Sequence, residues 1–179
     1  MLQIIVPARE DFNELTGEFI TSKETKLQLE HSLISISKWE SKWCKPFMSK
    51  EPRTDEEMMD YIKCMAITPN VPEEVYLNLT RENINEITTY IKSPMTATWF
   101  SDKPGSKKGE QVTSELIYYW MVALNIPFEC QKWHLNRLLT LIKICNLKNQ
   151  PAKKMKKNEI LARNAQINAA RRKAMGSKG

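Results

Sequence analysis

Cys130 and His134 are the pair in this sequence best spaced for chemistry. On a helix, residues four apart share a face, so a thiol and an imidazole would project together. A cysteine activated by a neighbouring base is the logic of nucleophilic catalysis. Here, however, a thiol on a helix face would lack a pre-set oxyanion hole, and the expectation is that both are packed or partly exposed helix residues. As metal ligands the pair supplies two of the four that a structural zinc needs, and no others lie nearby in sequence. The remaining histidine is His31, and the remaining cysteines, Cys44, Cys64 and Cys145, form no C-x-x-C pair. Asp55, Glu56, Glu57, Glu73 and Glu74 fall in predicted first helical turns, where the helix dipole favours acids. No G-x-G-x-x-G, P-loop, G-x-S-x-G or H-E-x-x-H pattern occurs. The sequence therefore predicts a non-enzyme with no catalytic residues, no metal and no cofactor.

The elements that would position any site read as α+β, mainly helical. Leu2 to Val6, Glu18 to Thr21 and Thr25 to Glu30 read as three strands of a small antiparallel sheet within about residues 1–30. Leu27 and Leu29 share one face. From Ser32 the apolar spacing turns helical through Leu33, Ile36, Trp39 and Trp43, and the two tryptophans, one turn apart, are expected in the core. Thr54 and Glu57 match a capping box for a helix to about Ile67, with Met58, Tyr61, Ile62 and Met65 inward. Pro72 opens a short helix, Glu73 to Leu77. Thr80 caps another, Arg81 to Lys92, striped by Ile84, Ile87 and Ile91. Met95 to Phe100 reads as a strand or an extended connector, and Ser101 to Glu110 as an exposed, protease-sensitive loop.

Thr113 to Asn146 reads as a helical hairpin. Leu116 to Leu124 contains no charge, Asn125-Ile126-Pro127 breaks it, and a second helix carries a wide apolar face with one polar stripe of Lys132, Asn136, Thr140 and Lys143. Nine apolar residues cannot cross a bilayer, which takes about 20. A helix apolar on all sides must be covered by its own protein or by a partner. The Trp-bearing segments SKWESKW and MTATWF are expected to cover part of it. The aromatic candidates for partner contact are Tyr118, Tyr119, Trp120 and Trp133, with core packing as the plainer account of each. A helix-turn-helix reading is weaker, because base-reading residues lie at the start of the second helix, and here Glu129 would meet phosphates.

Charge divides the chain into residues 1–147 and a basic, partly helical extension, 148–179. The net charge is +6, but the extension holds ten Lys/Arg and one acid (+9), which leaves −3 for the rest. Its basic candidates are Lys153, Lys154, Lys156, Lys157, Arg163, Arg171, Arg172 and Lys173, on a helix expected to start from Asn158 as cap and run to about Lys173. Such a segment suits solubility, nucleic acid or an acidic partner. No leader or membrane-spanning run is evident at the N-terminus or elsewhere, so the reading is cytosolic with reduced cysteines.

The segments LQLEHSLISISKWESKW, DYIKCM, SPMTATWF, IYYWMVALNIPFECQKWHLNRLLTLIKICN and the tail NQPAKKMKKNEILARNAQINAARRKAMGSKG resemble the tail assembly chaperones of long-tailed bacteriophages. The resemblance implies a non-catalytic protein in the host cell cytoplasm. It would bind the tape-measure protein and keep it soluble while tail-tube subunits assemble, then leave. It brings in the tail-tube protein and self-association as further candidate contacts, with nucleic acid through the tail and no membrane. The alternatives are a structural virion protein of the tail or head–tail region, or a nucleic-acid-binding protein acting through its basic extension.

Overall fold

The computed structural model describes residues 1–13, 18–100, 111–149 and 157–176, with the side chains of 11–13, 18–21 and 157 left aside. Its elements run β1 (Leu2–Val6), β2 (Arg9–Asn13), β3 (Glu18–Ser22), β4 (Thr25–Leu29), α1 (Leu33–Trp43), α2 (Asp55–Met65), α3 (Glu73–Leu77), α4 (Arg81–Lys92), α5 (Ser114–Ala123), a 3-10 turn (Phe128–Lys132), α6 (Leu135–Asn149) and α7 (Lys157–Met175). The fold is α+β, mainly helical, with a small antiparallel β component at the N-terminus.

The strands correct the expected three-stranded sheet. There are four among the described residues, in two ladders, β1 with β4 and β2 with β3. Leu2 faces Leu29 and Arg9 faces Ser22, so the register carries through both ladders without a slip. The unit is one long hairpin interrupted at Pro7, which has no N–H to donate. Ile4, Val6, Leu27 and Leu29 are buried on one face, the period-two alternation that a half-covered hairpin requires. The outer edge of β4 is covered by the end of α2 and the residues that follow it: Glu30 N–H donates to the Met65 carbonyl (2.9 Å) and Ile67 N–H to that of Gln28 (2.8 Å). The expected turn at Gly17 lies outside the described residues, as does the loop Ser101–Glu110.

The helices start where side chains supply the missing acceptors. Ser32 with Ser35, Thr54 with Glu57 and Thr80 with Asn83 form reciprocal capping boxes, and Thr113 accepts from Leu116 N–H. Trp39 is buried and its indole N–H donates to the Glu57 carbonyl (2.9 Å). Trp43, stacked on it at 6.2 Å, is half-buried and donates to Asp60. Tyr61, Ile62 and Met65 of α2 and Ile87 of α4 are core, whereas Met58, Ile84 and Ile91 are half-buried. Met95 to Phe100 is not a strand: Met95 sits at φ 48°, and Trp99 is 90% exposed rather than covering the hairpin.

The chain divides into two units, Met1–Asn146 and Leu147–Gly179. The first contains the core, where α1 packs on α2, α5 and the 3-10 turn, and α4 packs on β1. In the second, α7 begins at Lys157, so Asn158 is inside the helix rather than its cap, and Gly176 at φ 62° ends it in the left-handed conformation that glycine adopts without a Cβ clash. Every residue from Asn158 to Gly176 is exposed. Among the described residues, no helix is long and apolar enough to cross a membrane.

Candidate partner-binding surface

The reading of one continuous helix after Pro127 does not hold. A 3-10 turn ends at Lys132, Trp133 and His134 are extended, and α6 starts at Leu135. The break is imposed from far away in sequence. His134 bridges to Ser32, and Leu135 N–H donates to the His31 carbonyl (2.7 Å). The first turn of α6 is also tied down by Asn136, whose amide donates to the carbonyls of Ile91 (3.3 Å) and Ser93 (2.7 Å). A recognition helix must present that turn to a groove, and here the protein itself covers it.

The break also separates Cys130 from His134. Cys130 is buried in the 3-10 turn, and burial, then Glu129, pushes its thiol pKa up. His134 has both ring nitrogens engaged. Nε2 lies 3.0 Å from the Tyr90 carbonyl, which can only accept, so Nε2 carries the proton. Nδ1 accepts from Asn136 N–H (3.3 Å). The imidazole is neutral and has no lone pair left for a thiol. His31 stacks edge-on against it at 5.0 Å and is hydrogen-bonded through Nδ1 to the Tyr61 hydroxyl (2.5 Å). Burial, then His134, lowers the His31 pKa to about 3, and burial lowers that of His134. This cluster locks the β4–α1 junction to α6. Among the described residues, no three His, Cys, Asp or Glu side chains converge as metal ligands. A cleft of about 390 Å³ between α1 and α2 is lined by Lys42, Trp43, Glu56, Met59, Asp60 and Lys63. Within it Lys42 and Trp43 both bond Asp60, and Lys63 pairs with Glu73.

The unusual surface is on α5. Ser114, Ile117 and Met121 are buried on its inner side. Tyr119 and Val122, on the outer side, are 65% and 60% exposed, with Ala123 beside them. Residues i, i+3 and i+4 form one face of a helix, so the helix carries two apolar stripes, one in the core and one in solvent. After α5 the chain reverses at Asn125 (φ 53°), and Ile126 N–H donates to the Met121 carbonyl (2.8 Å). That turn brings Phe128, 52% exposed, to a ring distance of 6.3 Å from Tyr118. Tyr118 is half-buried, its hydroxyl donating to Gln131 (2.9 Å), and burial raises its pKa.

The four aromatic candidates therefore divide. Tyr119 is open to a partner. Tyr118 and Trp120 are half-buried on its two sides, and Trp133 is half-buried beneath the Arg137 guanidinium at 4.3 Å. Sequence reasoning missed Val122 and Phe128. The helical offset from Tyr119 to Val122 was a usable signal, whereas the position of Phe128 depends on the turn. In the basic extension, Lys153, Lys154 and Lys156 lie outside the described residues, and Arg163, Arg171, Arg172 and Lys173 are exposed on α7. No family model matches the chain, and neither a curated protein nor a solved structure matches it.

Proposed function

We propose that this protein is a non-enzymatic assembly chaperone of the bacteriophage tail type, which holds an apolar helical segment of the tape-measure protein on the α5 surface. The observation that carries the reading is the outward stripe of Tyr119 and Val122 on a helix whose other stripe is already buried, with the exposed Phe128 ring beside Tyr118 of the same helix. An amphipathic client helix recognises such a strip through residues at i, i+3, i+4 and i+7. Tyr119 and Phe128 supply rigid aromatic area, and Tyr118, held by Gln131, backs Phe128.

The strip is small, and that suits a chaperone. Burying three such side chains gives on the order of 6 kcal/mol, and association itself costs at least about 4 kcal/mol. Each contact is weak and reversible. Many copies along one long client would hold it through effective concentration, and a tube subunit that buries more area would displace them. The protein would act in the host cytoplasm and leave before the tail is complete.

Co-expression tests this reading. The tape-measure protein becomes more soluble and co-purifies with the wild-type chain, and it does neither with a Tyr119→Ser/Val122→Ser/Phe128→Ser variant. Mass spectrometry of purified virions finds the protein absent. Presence at stoichiometric levels would instead make it a permanent part of the tail.

A further inference from the structure

We infer that α7 is a docking helix for duplex DNA, engaged through phosphate contacts and without sequence preference. The helix, Lys157–Met175, holds five Lys/Arg and one acid. Cations in a last helical turn also suit the helix dipole. That accounts for Arg172 and Lys173, but not for Lys157 at the first position of the helix or Arg163 in its middle.

The chemistry of the helix selects among polyanions. A membrane surface or a protein groove requires one continuous apolar face. On α7, Ile160 and Ile167 share a side, but Leu161 lies about 100° around, and Arg163 falls close to the Ile160–Ile167 line. Every side from Asn158 onward is exposed. The same side carries donors that interrupt the apolar line: Asn164 follows Ile160 and Arg171 follows Ile167 at i+4, with Asn168 and Arg172 beside them, and Arg172 Nε donates back to the Asn168 carbonyl (3.4 Å), which lays the guanidinium along the helix. Amides and guanidinium groups donate to phosphate oxygens.

Single strands are bound chiefly by stacking bases on aromatic rings, and residues 147–179 contain no Phe, Trp or Tyr. The major groove of A-form RNA is deep and narrow and leaves no room for a helix to lie between its phosphates. The B-form major groove is about 12 Å wide, and a helix with its side chains is about 10–12 Å across. Duplex DNA is the polyanion that fits.

The test is fluorescence anisotropy of a random-sequence 30-base-pair duplex with the full chain, from 50 to 200 mM salt. Each phosphate contact contributes about −0.9 to the slope of log K against log salt. Arg171→Gln/Arg172→Gln/Lys173→Gln should therefore flatten the slope by about 2.7, shrinking the loss of affinity over this range by roughly 40-fold. Arg171→Lys/Arg172→Lys should keep the wild-type slope. Far-UV circular dichroism of each variant checks that α7 remains helical. An unchanged slope in the triple variant overturns the inference. So does absence of duplex binding at 50 mM salt, or equal binding to a single strand of the same length, to polyglutamate or to phosphatidylserine vesicles.

Discussion

Glu40 on α1 accepts the Ser114 N–H at the start of α5 at 2.7 Å, and its second oxygen accepts the Phe47 N–H, also at 2.7 Å. The carboxylate is buried, and it satisfies one of the N–H groups that the first turn of any helix leaves without a partner. It thereby fixes which of the two apolar stripes of α5 faces the core. Glu40→Ala leaves two buried donors unpaired. Each costs about 1–3 kcal/mol, so urea denaturation should show a loss of about 3 kcal/mol. Glu40→Gln, which keeps one acceptor oxygen, should lose less.

The histidine pair makes stability depend on pH. His31 is neutral in the fold, with its pKa lowered to about 3 chiefly by burial, while in the unfolded chain it titrates near 6.5. Between those values the unfolded chain binds more protons. The contribution is therefore complete above about pH 6.5 and is lost as pH falls toward 3, by up to about 1.4 kcal/mol per pH unit. His134 acts in the same direction. Glu57, whose carboxyl is held low by Lys45, adds a further loss below its ordinary pKa of 4.5. Urea midpoints measured from pH 7.5 to 4 should fall steadily, and His31→Asn should flatten that slope by about one proton.

Cys44 ends α1 at φ 52°, with its N–H on the Glu40 carbonyl (2.8 Å). A side chain in this left-handed region costs roughly 1–2 kcal/mol, which glycine does not incur. Cys44→Gly should raise the thermal midpoint, with a gain of about 1 kcal/mol after the greater freedom of glycine in the unfolded chain.

Much of the helical framework is written in local signals. Thr54 with Glu57, Pro72 and Thr80 place three helix starts because a cap is a contact between near neighbours. The break at His134 is not local. WHLNRLL has the period of one helix, and only Ser32 and the His31 carbonyl, about a hundred residues earlier, interrupt it. The strand Arg9–Asn13 escaped notice because Arg-Glu-Asp has little strand propensity; it is a strand because it carries on the register of β1. On α5, periodicity separates Ile117 and Met121 from Tyr119 and Val122 but does not rank two apolar faces. That choice is made by Glu40, from another helix.

The outward stripe is thus a consequence of how α5 is anchored, and its use can be measured directly. The affinity of the full chain for the tape-measure protein should be compared with that of the Tyr119→Ser/Val122→Ser/Phe128→Ser variant. Because all three side chains are exposed, each change should alter folding stability by no more than about 0.5 kcal/mol. A binding hot spot contributes about 2 kcal/mol or more, so the account predicts a Kd at least about 30-fold weaker at nearly unchanged stability. A variant that folds normally and binds the tape-measure protein as tightly as the wild type would contradict it.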